Sequence, residues 1–123
     1  MKIEFDVFLT HIRLYVNDEL IEDLRIDDDD VSSNLRPSNL PEARLHGYSK
    51  ADIVENVVEN CLACYEEDLA YDTNGKMVCV YGEDFPEGGK EVDVSIFYQP
   101  LKQAILEFVE LPEKEMEKKE QRG

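Results

Sequence analysis

Residues 49–69, SKADIVENVVENCLACYEEDL, decide how this chain is read. Val54, Val57, Val58, Cys61, Leu62, Tyr65 and Leu69 recur at steps of three and four, the spacing of one apolar face on a helix. Ser49 followed by Asp52 resembles a capping box, with Asp in the place of the usual Glu, and marks where the helix starts. The segment therefore predicts a core-facing helix, closed by the turn chemistry of Asp72-Thr-Asn-Gly75.

On its N-terminal side, Ile3, Phe5, Val7 and Leu9 alternate with polar or exposed positions, as in a half-buried strand. Ile12, Leu14 and Val16 alternate on the other parity. The phase change at Thr10–His11 marks a β-bulge in one long strand or a short break between two. Asn17-Asp18 offers a two-residue turn, after which Leu20, Leu24 and Ile26 continue on a returning strand. A helix from Asp18 to Arg25 competes, because Leu20, Ile21 and Leu24 also fit helical spacing. Val31 to Tyr48 reads as a long connection rich in Ser, Asn, Pro and Arg.

On the C-terminal side, Lys76–Tyr81 and Glu91–Tyr98 both read as strands, joined through Gly82–Gly89 as an antiparallel hairpin. Val92, Val94, Ile96 and Tyr98 would share one face. Pro100 opens a last helix carrying Leu101, Ile105, Leu106 and Val109. The order β-β-loop-α-β-β-α predicts an α+β domain over residues 1–111, an antiparallel sheet of about four strands with helices packed on one face. Residues 112–123 alternate Glu and Lys and read as a frayed tail or a solvated helix.

Charge limits what such a domain does. The chain has 29 acidic and 13 basic side chains in 123 residues, a net charge of -16. Such a field repels nucleic acid and anionic membranes and attracts a basic protein surface. The excess is uneven: residues 51–72 hold seven acids and no base, and Asp27, Asp28, Asp29 and Asp30 form a run. No apolar run approaches the roughly 20 residues that span a bilayer. The N-terminus lacks a signal-peptide core, and three cysteines suit a reducing compartment. The expectation is a cytoplasmic protein.

Catalytic motifs are not legible, and the chain is read as no enzyme. His11 and His46 lack the context of a nucleophile or a paired base. Cys61-Leu-Ala-Cys64 has redox spacing but lies inside the helix, on its apolar stripe, where a thiol is structural. Zinc would need further ligands that Cys79 and two distant histidines do not supply. A calcium loop starting at Asp28 would place Ser33 at its sixth position and Asn39 at its twelfth, so that pattern fails, as does Asp72-Thr-Asn74-Gly75. No metal and no cofactor are expected.

The acids of the helix form a pattern of their own. Asp52, Glu55, Glu59 and Glu66 are spaced by three, four and seven residues and share one face away from the core. Like charges at these spacings destabilise a helix by a few tenths of a kcal/mol per pair. Together with Asp27–Asp30 they form a candidate partner-binding surface that presents phosphate-like charge to a cationic groove. In size, acidity and lack of enzymatic motifs the chain resembles small phage- and plasmid-encoded inhibitors of bacterial nucleases, the anti-CRISPR and anti-restriction DNA mimics. That resemblance, one of character with no shared motif, implies a non-enzymatic inhibitor that occupies the nucleic-acid channel of its nuclease. An immunity protein or antitoxin against a basic toxin has the same electrostatics. A protein-interaction adaptor would instead use Phe85-Pro86 and Leu111. Adaptation to high salt would explain the acidity without any partner. Oligomeric state is open: the strands of residues 12–26 have an edge that a second copy would fit.

Overall fold

The structure, a computed structural model, describes residues 1–26 and 35–122. The Asp27–Asp30 run lies outside the described residues. The architecture is α+β, with two three-stranded antiparallel sheets in place of one sheet of four strands.

The first sheet has the order β1-β2-β3, with β1 at Ile3–Val7, β2 at His11–Val16 and β3 at Glu19–Arg25. Ile3 pairs with Val16 and Val7 with Ile12, so the phase change at Thr10–His11 is a hairpin turn between two strands. Asn17 and Asp18 take φ of 51° and 67°, the left-handed conformation that a tight hairpin turn demands. The hairpin, not the helix, holds residues 19–25.

A bulge does occur, but on β3. Leu14 pairs with Glu22 while Tyr15 pairs with Leu20, so Ile21 is the extra residue. Cross-strand partners share a sheet face. Leu20 therefore sits outward opposite Tyr15 and is 48% exposed. Glu22 sits on the inner face opposite the fully buried Leu14.

The connection after β3 holds a 3-10 turn, Pro37–Asn39, and a short helix α1, Leu40–Leu45, where a plain loop is expected. Leu35 and Ala43 anchor it in the core. Helix α2, Lys50–Asp68, starts as its sequence predicts. The Asp52 amide donates to Ser49 Oγ at 3.1 Å and the Ser49 amide donates to Asp52 Oδ2 at 2.8 Å. Val54, Val57, Val58, Cys61 and Tyr65 are buried and Leu62 is half-buried.

The helix stops earlier than Asp72 implies. Leu69 is already extended and opens β4, Leu69–Tyr71, the central strand of the second sheet. Strands β5, Met77–Cys79, and β6, Lys90–Glu91, each pair with β4 and not with one another. The Gly82–Gly89 hairpin is thus replaced by a loop that crosses from one side of β4 to the other.

The strand expected over Glu91–Tyr98 ends at Glu91. Asp93 Oδ1 accepts from the Ser95 amide at 3.1 Å and from Ser95 Oγ at 2.6 Å, starting a 3-10 turn at Val94–Phe97. This capping overrides the β-branched alternation. The turn runs into α3, Tyr98–Val109, which places Pro100 within its first turn instead of opening it. Leu101, Ile105 and Phe108 are its buried residues; Leu106 is exposed.

The Glu/Lys tail forms α4, Glu113–Arg122, and it docks. Met116 is fully buried, and Lys119 Nζ meets both the Val7 carbonyl and Asp6 Oδ1 at 2.6 Å. The same ammonium lies 4.7 Å from the Phe8 ring centroid. Truncating a buried Met to Ala costs about 2–5 kcal/mol. Met116→Ala is expected to lose stability in that range in urea unfolding; a loss within about 0.5 kcal/mol would mean that α4 contributes no packing.

Candidate functional site

Helix α2 positions the predicted acidic face. At 3.6 residues per turn, Asp52, Glu55, Glu59 and Glu66 fall within an arc of about 60°, opposite the buried stripe. From Asp52 to Glu66 the arc runs about 21 Å along the axis. At its N-terminal half, Gly47, Tyr48, Asp52, Glu55, Asn56 and Glu59 line an open concavity.

These four carboxylates are not equivalent. Asp52 is held below the usual carboxylate range chiefly by the Ser49 backbone amide, and its oxygen serves the cap. Glu55 is also lowered, first by the Tyr98 hydroxyl, which donates to Oε1 at 2.6 Å, and then by Lys102 at 3.4 Å. Asp52 thus closes the cap of its own helix, and Glu55 ties α2 to α3. Glu59 and Glu66 are exposed, as is Glu67, and none has an ion-pair partner among the described residues. The structure thus moves the uncompensated charge toward the C-terminal half of α2.

Two further constellations come from burial and register. His11 Nδ1 lies 2.5 Å from Asp23 Oδ1, and its ring stacks on Phe8 at 4.3 Å. Arg13 Nε reaches the other Asp23 oxygen at 3.3 Å, so Asp23 orders two side chains of β2. The second is a carboxyl pair. The β3 bulge aims Glu22 at Asp68, the last residue of α2 and only 8% exposed. Burial first, and the Asp68 carboxyl next, push Glu22 up to about 9. This site therefore favours the protonated, neutral form of Glu22. Asp68 continues the 61, 65 stripe and is readable in the sequence, whereas Glu22 faces inward only through the bulge at Ile21, which no periodicity signals.

The thiols are kept protonated. Burial pushes Cys61 up to about 12 and raises Cys64, and it also raises the more exposed Cys79. Among the described residues, no three His, Cys, Asp or Glu side chains are arranged to hold a metal ion. Among them also, no helix is long and apolar enough to cross a membrane. Comparison of the chain with protein-family models, curated proteins and solved structures yields no match.

The Glu22 proton links stability to pH. Its folded pKa lies above the ordinary 4.5, so its contribution is complete below 4.5 and is lost as the pH rises to about 9. Glu22→Gln keeps a donor for Asp68 and removes the titration. The variant is expected to gain about 1–2 kcal/mol over wild type at pH 8, discounted because Glu22 is partly solvated, and none at pH 4. Parallel stability–pH curves in urea unfolding would refute the proton-sharing pair.

Proposed function

We propose that this chain is an acidic, non-enzymatic inhibitor that binds the basic nucleic-acid-binding surface of a nuclease in place of nucleic acid. One observation carries the reading: the charge of α2 sits where the helix least tolerates it. A helix C-terminus bears partial negative charge, and a carboxylate there costs about 0.3–1 kcal/mol at an exposed site. The last turn of α2 has no basic residue, yet it bears Glu66 and Glu67 on its surface and Asp68 beneath. A helix arranged for stability alone would reverse these charges. Glu59, about two turns earlier, extends the same uncompensated surface.

A rigid row of carboxylates suits a surface built for phosphates, because Lys and Arg arrays that track a nucleic-acid backbone recognise charge at regular intervals. The core stripe fixes the row's direction, so little ordering cost remains on binding. Association would be fast at low salt and weaken steeply as salt is added.

The combined variant Glu59→Gln, Glu66→Gln and Glu67→Gln separates fold from function. Its stability is expected to rise by a few tenths of a kcal/mol per substitution through relief of repulsion. Immobilised wild type should capture a basic nucleic-acid-binding protein that DNA or RNA displaces; the variant should lose it. Equal capture by both would refute the proposal.

A further inference from the structure

The loop from Tyr81 to Gly89 presents two aromatic side chains to solvent. Tyr81 is 78% exposed and Phe85 50% exposed, whereas Phe8, Tyr65, Phe97 and Phe108 are buried. Among the described residues, neither exposed ring contacts another ring or a cation. Glu83, Asp84 and Glu87 flank them, all exposed, and no basic residue falls between 81 and 89.

The loop is also held. The Val80 amide donates to the Asp68 carbonyl at 2.6 Å and joins its start to the end of α2. Two hydrogen-bonded turns follow, Glu83 N–H to Val80 O and Gly89 N–H to Pro86 O, both at 2.8 Å. Gly82 and Gly88 supply φ of 72° and 73° at their third positions. A Cβ on Gly89 would lie 2.7 Å from the Tyr71 carbonyl, so the exit of the loop rests on the backbone of β4. A loop backbone fixed in advance lowers the ordering cost of presenting its rings to a partner.

Rings beside carboxylates match one side chain. A guanidinium stacks flat on an aromatic face while its edge donates to a carboxylate, whereas a lysine ammonium is compact, strongly hydrated and cannot stack. We propose that Tyr81, Phe85 and the carboxylates Glu83, Asp84 and Glu87 form a docking site for arginine side chains of a basic protein surface. The inference rests on the inhibitor reading and deepens it. Arginines that stack on bases and pair with phosphates in single-stranded nucleic acid would meet a ring and a carboxylate here.

The test titrates the full chain with oligo-arginine and oligo-lysine peptides of equal length by calorimetry. Oligo-arginine is expected to bind about fivefold more tightly, from contacts with two exposed rings. Tyr81→Ala combined with Phe85→Ala should bring the ratio near one with oligo-lysine affinity unchanged. Glu59→Gln, Glu66→Gln and Glu67→Gln together should weaken both peptides and preserve the ratio. Equal affinities in wild type, or a preference that survives loss of both rings, overturns the arginine site and leaves the acidic face standing. No binding of either peptide overturns both.

Discussion

Three rings meet where the sheet and two helices converge. Phe5 of β1, Tyr65 of α2 and Phe97 at the entry to α3 have centroids 5.7–6.1 Å apart, two of the three pairs edge-to-face. Such pairs contribute about 0.5–1.5 kcal/mol each beyond the area they bury. Their geometric consequence is larger. Tyr65 at the junction fixes the rotation of α2 about its axis, which turns Asp52, Glu55, Glu59 and Glu66 away from the core. Phe97 has to reach the same point, and a strand continuing from Glu91 would alternate past it. The 3-10 turn begun by Asp93 delivers it instead. The orientation of the acidic face thus follows from packing on the opposite side of one helix.

What was legible in the sequence was what is repeated. Helix α2 repeats its apolar spacing over five turns and carries its cap in the first four residues, so its start and buried face could be read directly. The Asn17-Asp18 turn was legible as one of two readings, because Leu20, Ile21 and Leu24 also fit a helix. Single-residue devices were not. One extra residue at Ile21 puts Leu20 and Glu22, which share a parity, on opposite faces, and alternation on either side looks the same. Helix α4 docks through one buried apolar residue, Met116, one lysine that reaches across to β1, and Glu120, which accepts from the Thr10 hydroxyl; none makes a pattern. Residues 91–98 carried two local signals, β-branched alternation and an Asp-x-Ser cap, and only the junction around Phe97 decides between them.

The candidate surface was legible in part, for a related reason. Spacing shows which acids share a face, but not which are already engaged. Asp52 closes the cap of its own helix, and Glu55 receives a hydroxyl and an ammonium from α3. Asp72 Oδ1 accepts the Asn74 and Lys76 amides, both at 2.9 Å, and shapes the β4–β5 turn. These carboxylates serve the fold first. Glu59, Glu66 and Glu67 have no such task among the described residues, and so the unassigned charge lies on them. Sorting acids by internal partner, a step that needs coordinates, separates the two sets.

Magnitudes then explain how the chain can carry this charge. Burying an aliphatic or aromatic side chain stabilises by about 1.5–3 kcal/mol, and α2 buries Ile53, Val54, Val57, Val58 and Tyr65 against the sheet and α3. Two exposed carboxylates in the last turn cost about 0.3–1 kcal/mol each, and like-charge neighbours a few tenths more. The core term is several times the electrostatic cost. The acidic face is therefore tolerated by the fold without being required by it. The Glu22–Asp68 pair differs, because Asp68 is buried and Glu22 partly so, and there burial favours the protonated form of Glu22. The fold thus treats its carboxylates in two ways: Glu22 of β3, partly buried, is pushed up to about 9, whereas Glu59, Glu66 and Glu67 of α2 stand exposed in solvent.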